Sequence, residues 1–220
     1  MAGTVGTVHE LTRSRDGSIA YPRPPWHLTG QLFLTLFQLS EPVDPARPAG
    51  LWGAAFVRYD EPSPLTYSEL LVARPVPVPG RRLRLASVTD IWVDSPASMA
   101  GGRELWAIPK ELCDFDMESV RRGPVTSTEW SATVEHRPIA EARFTDVSRA
   151  ALRSPFWAET WQPGLDDTDG ADRTATFRGT SKVLPCRGRW DFAADGPLGW
   201  LRGARPLASF RMADFRMTFA

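Results

Sequence analysis

Gly101-Gly-Arg-Glu-Leu-Trp-Ala-Ile-Pro-Lys110 marks the point where the chain's best-signalled helix gives way to strands. Upstream of it, Ser95 can cap, Pro96 suits a first turn, and Ala97, Met99 and Ala100 are compatible with helix. A helix is therefore expected over Ser95–Leu105, shortened if anything by the two glycines, with Pro109 beyond its end. On either side the chain reads as strands. Gln31–Leu39, Leu51–Tyr59 and Arg84–Val93 carry the apolar, β-branched and aromatic patterning of buried strands. Tyr67 begins another, which is expected to give out at Pro75-Val-Pro-Val-Pro79 because prolines remove ladder donors. Downstream, 125–136, 138–147, 173–184 and 206–219 look like strands separated by polar turns such as Pro163–Gly170. Many short strands with few helices predict a mainly β (α+β) protein, an antiparallel sandwich or barrel. Residues 1–20 are expected to form an N-terminal arm and 21–220 a single domain.

The bulk numbers fit that reading. A chain of 220 residues can bury roughly 70% of the surface its unfolded form exposes, so neither disulfide nor metal is required. It is 42% hydrophobic and 24% charged, with a formal net charge of +0. That balance argues against nucleic acid or a membrane surface as partner. No basic segment leads into an apolar run at the N-terminus, so a cytoplasmic location is expected. Cys113 and Cys186 stand apart and read as two buried, reduced thiols. There is no Gly-x-Gly-x-x-Gly, no phosphate loop, no His-Glu-x-x-His and no Gly-x-Ser-x-Gly. His9, His27 and His136 are poor material for a triad or a zinc site, and His136 reads as part of a strand end. Neither metal nor cofactor is expected.

One residue stands out chemically. Of the 26 basic residues, only Lys110 and Lys182 are lysine. Where any cation would serve the chain uses arginine, and lysine differs in being able to lose its proton. Exposed lysine is free base in only about one molecule in 2,500 at neutral pH, whereas burial favours the neutral amine. Pro109 holds the backbone before Lys110, and Trp106, Ile108 and Leu112 offer apolar surroundings. That is the environment a Schiff-base nucleophile needs. The alternative is a lysine lying over a tryptophan face and paired with Glu104 or Glu111.

Gly102-Arg-Glu-Leu-x-Ala-x-Pro-Lys110 closely resembles the segment of the acetoacetate decarboxylase superfamily in which the lysine after proline forms an imine with a keto acid. Tyr67-Ser-Glu69 resembles that family's Tyr-Thr-Glu, and Tyr21-Pro-Arg23 its Phe-Pro-Arg. The likeness runs over residues 20–115 and is sharpest at 102–112. It implies a cone-like antiparallel β-barrel with few flanking helices and a homo-oligomer. It also implies an enzyme with Lys110 as nucleophile and Glu69 as acid/base, the site being completed by Arg103, Glu104, Gln31, Tyr67 and Trp106. The substrate would be a small keto or hydrophobic molecule, processed by decarboxylation or by aldol or dehydration chemistry. The sequence departs from the pattern where a second lysine would follow the nucleophile, since Glu111 stands there. The family's carboxylate-holding arginine falls at Gln31, and a further glutamate falls near Ala54. Two other readings stay open: a cyclase-like or binding barrel that shapes a hydrophobic molecule without covalent chemistry, and a relative without activity.

Overall fold

The computed structural model describes residues 19–147 and 151–220, so the expected arm lies almost wholly outside the described residues. The strands are β1 (Trp26–Leu39), β2 (Gly50–Asp60), β3 (Tyr67–Val76), β4 (Leu85–Val93), β5 (Lys110–Leu112), β6 (Asp114–Arg122), β7 (Val125–Val134), β8 (Arg137–Asp146), β9 (Arg153–Gln162), β10 (Arg173–Phe192) and β11 (Arg205–Phe219). Among the described residues one α-helix, α1 (Pro96–Trp106), connects β4 to β5, and a short 3-10 helix spans Gly199–Gly203. The mainly β barrel is thus the observed architecture.

Closure follows from the pairing. The order β11-β1-β2-β3-β4-β9-β10 is a continuous sheet, and β10 pairs again with β11, so these strands form a ring. Every pairing in it is antiparallel except the one between β4 and β9, which is parallel and rests on a single pair, Ala86 with Thr160. There the Gln162 side chain adds what the ladder lacks: Val88 N–H donates to its Oε1 at 2.7 Å and its Nε2 donates to Val88 C=O at 2.9 Å. The long β10 has two halves. Arg173–Lys182 pairs with β9 and Phe177–Cys186 with β11, whereas Arg187–Phe192 carries β8, followed outward by β7 and β6.

Side chains alternate across a strand, and β1 to β3 are buried on both faces. Phe33, Phe37, Trp52, Phe56, Leu70 and Val72 face a core shared with Trp130, Ile139 and Phe144 of β7 and β8. Trp26, Leu28, Val57, Tyr59 and Tyr67 face the ring interior, with Trp106, Ile108 and Phe215. This two-sided burial makes the strands read as near-continuous apolar runs.

The structure departs from expectation in several places. The β3 strand runs through Pro75 to Val76, because β2 pairs with it only as far as Ala73 and leaves Pro75 paired on the β4 side alone. The stretches β5, β6 and β9 are strands that the sequence reading did not assign, and β10 continues to Phe192. Cys186 is only partly buried, whereas Cys113 is buried as expected.

Candidate active site

The helix α1 forms as its signals predict. The Ser95 hydroxyl accepts from Ser98 N–H at 3.2 Å, and Pro96 opens the first turn. Ala107 ends it in the left-handed region at φ 52, with its N–H on the Arg103 carbonyl. The chain then turns through Ile108 and Pro109 into β5, where Lys110 pairs with Ile91 alongside β4. The Arg103 guanidinium fixes this return, donating to the Lys110 carbonyl at 3.1 Å and to Asp167 at 2.7 Å. Gly102 lies against the lysine stem: a Cβ there would come within 2.7 Å of Lys110 Cδ.

Lys110 is 5% exposed, at the wall of a cavity of about 330 Å³ inside the ring. Its Nζ donates to Glu69 Oε2 at 2.9 Å, to Ser98 Oγ at 2.9 Å and to Tyr67 Oη at 3.4 Å. Nζ also lies 5.0 Å from the Tyr67 ring centre. Glu69 is itself buried and accepts from the Tyr59 hydroxyl at 3.2 Å on its other oxygen. The two tyrosine rings stack with centroids 4.4 Å apart. Burial acts to push the ammonium pKa down, but the Glu69 carboxylate and Tyr67 outweigh it and hold the pKa above its ordinary value. Lys110 and Glu69 thus form a buried salt bridge of 2.9 Å, and the shift of the amine runs opposite to the lowering that burial alone would give. Burial, reinforced by Glu69, also holds both tyrosine hydroxyls in the protonated form.

Of the residues singled out from sequence, Lys110, Glu69, Tyr67 and Trp106 come together around the cavity. Arg103 supports the backbone of Lys110 from outside it. Four others do not reach the cavity. Glu104 is exposed on the outer face of α1 beside Tyr21, whose hydroxyl it helps hold up at about 12 together with burial. Gln31 shares its strand face with Phe33 and accepts from Arg211 Nη2 at 2.6 Å; the cavity-side residues of β1 are Trp26, Leu28 and Leu32. Leu112 is 42% exposed and supplies no apolar surrounding. Glu111 projects away from Lys110, as alternation requires, and accepts from Trp92 Nε1 at 3.1 Å. Lys110 thus pairs with neither Glu104 nor Glu111. Ser98 and Tyr59 were missed. A small hydroxyl in a helix and a tyrosine in an apolar run carry no sequence signal beyond their types. Among the described residues no group of three His, Cys, Asp or Glu side chains is placed to hold a metal, and no helix is long and apolar enough to cross a membrane.

The chain resembles known proteins in sequence and in fold. The family model described as acetoacetate decarboxylase matches residues 39–162. The chain belongs to the acetoacetate decarboxylase family. Among solved structures it is similar to the enduracididine biosynthesis enzyme MppR complexed with pyruvate, at 18% identity and a TM-score of 0.63, covering 99% of this chain and 96% of that one. It is also similar to an acetoacetate decarboxylase from Legionella pneumophila, at 15% identity and a TM-score of 0.58, covering 100% and 94%. An acetoacetate decarboxylase-like enzyme from Sphingomonas wittichii RW1 matches at 12% identity and a TM-score of 0.57, covering 98% and 96%. No curated protein matches the chain. These likenesses, all below 25% identity, establish the common fold.

Proposed function

We propose that the protein is an enzyme in which Lys110 forms an imine with the carbonyl carbon of a small molecule, and that Glu69 moves the protons. The observation that carries this reading is the buried contact of 2.9 Å between Lys110 Nζ and Glu69 Oε2 at the cavity wall. An amine must lose its proton before it can attack, and Glu69 is within reach to take it. The same carboxyl can return the proton to the departing hydroxyl, and water leaves to give the iminium. Ser98 and the two tyrosines hold this pair in place through hydrogen bonds. Trp106 and Ile108 keep the surroundings apolar.

A second reading is favoured by one observation, the three hydrogen bonds that Lys110 Nζ donates to Glu69, Ser98 and Tyr67, which suit an ammonium. In that reading the ammonium would donate a hydrogen bond to a bound carbonyl oxygen without covalent attachment. Borohydride treatment with a panel of ketones and keto acids separates the two. Imine chemistry adds mass to a peptide containing Lys110 and leaves Lys182 unlabelled, and Lys110→Ala abolishes the adduct. Equal labelling of both lysines, or none with any compound, would count for the non-covalent reading.

A further inference from the structure

The charges around the cavity restrict what it can hold. Among the described residues, Lys110 and Glu69 are the only charged side chains that line it, and they already neutralise one another. The rest of the lining is largely apolar, with residues such as Leu28, Leu32, Leu71, Ile91, Met212 and Met217, relieved by the Tyr59, Tyr67 and Thr160 hydroxyls and by tryptophans that carry an indole N–H. The nearby arginines are committed elsewhere. Arg58 donates to Ser68 and pairs with Asp60, Arg103 pairs with Asp167, and Arg211 pairs with Asp146 and Gln31. None of the three lines the cavity.

We propose that the substrate is a neutral, largely apolar ketone or aldehyde without a carboxylate, and that its imine serves chemistry at the α-carbon. This rests on the imine reading above. The charge balance runs as a closed account for such a molecule. Glu69 takes one proton from the Lys110 ammonium, and the free amine lone pair forms the N–C bond as the carbonyl π pair moves to oxygen. Proton transfer within this adduct, from nitrogen to oxygen, gives the neutral carbinolamine. The Glu69 proton then goes to the carbinolamine hydroxyl, water leaves, and the products are an iminium and a carboxylate. Glu69 next removes an α-hydrogen as a proton, and the C–H pair becomes the enamine double bond. Every state of the site has zero net charge. A keto-acid anion would instead carry one uncompensated negative charge from binding onward, and a buried charge without a partner is strongly disfavoured.

The test uses methyl pentyl ketone and its ω-carboxylated analogue, which differ by one charged group. With borohydride, the ketone is expected to label Lys110 at a half-saturating concentration about 10- to 150-fold below that of the carboxylate or of acetoacetate, the range set by one missing charged hydrogen bond. Equal or tighter labelling by the carboxylates overturns the proposal while leaving the imine reading intact. Calorimetric titration of the same pair reads association whether or not an imine forms. If neither compound labels Lys110, the imine reading fails, and saturable heat from the ketone alone still supports a neutral substrate. Heat from the carboxylate, or from neither compound, overturns it.

Discussion

The Glu69 carboxylate opposes the effect of burial on Lys110, and removing its charge exposes how the site is tuned. Burial lowers the amine pKa, while the carboxylate raises it past the ordinary value. In Glu69→Gln the largest raising influence is gone and burial remains, so the amine pKa is expected to fall. The alkaline rise in borohydride trapping at Lys110 is expected to move to lower pH in this variant. Turnover of an active ketone should fall about 10²- to 10⁴-fold for want of an acid/base group. A trapping midpoint that stays put or moves upward would show that the carboxylate does not hold the proton on the amine. Lys110, Glu69 and Tyr67 were legible in the sequence because they sit in short motifs with distinctive types. Ser98 was not, since a hydroxyl on one face of a helix gains meaning only when the chain returns opposite it. Gln31 was misjudged on spacing: strand alternation groups it with Phe33, away from the cavity.

At the scale of elements, the α1–β5 connection decides how accurately the amine is aimed. Gly102 permits the lysine stem to pass against the helix, and an added methyl would meet Cδ at 2.7 Å and Cε at 2.9 Å. Those atoms belong to a flexible side chain, so the clash is relieved by moving Nζ away from Glu69 and Ser98. Alanine also favours helix over glycine by up to about 1 kcal/mol. Gly102→Ala is therefore expected to keep or raise Tm while slowing Lys110 trapping about 100-fold, the scale of a 1 Å misplacement. Unchanged trapping would mean that the amine tolerates displacement. The helix itself was readable from Ser95, Pro96 and the following alanines. By contrast, β6 is exposed at nearly every position and has no buried face to write a pattern. The β9 strand is mostly exposed or half-buried, with the same effect. The Pro75 stretch misled because a proline excluded from a central ladder is admissible once one neighbour has dropped away.

For the whole molecule, the ring depends on a junction that sequence could not announce, because it is made by a side chain acting as a strand. Gln162 is 1% exposed and satisfies both the N–H and the C=O of Val88. Gln162→Leu keeps approximate size and leaves both groups without a partner, at about 1–3 kcal/mol each. A loss of about 2–6 kcal/mol is expected in chemical denaturation, and one well under about 1 kcal/mol would show that the β4–β9 junction is held by other means.

The double-sided burial of β1 to β3 has a consequence best put as a reading frame. Along these strands alternate residues are spelled for two different compartments, the aromatic core and the chamber around Lys110. Substitution changes one letter, but loss of one residue shifts every letter downstream to the opposite compartment. Deleting Leu70, for instance, would bring Glu69 into the phase of the Phe56–Trp130 stack or turn the rest of β3 inside out. Insertions and deletions of single residues in these strands are thus expected to scramble the two compartments unless a β-bulge takes up the difference, as bulges do where β1 meets β11 and β3 meets β4.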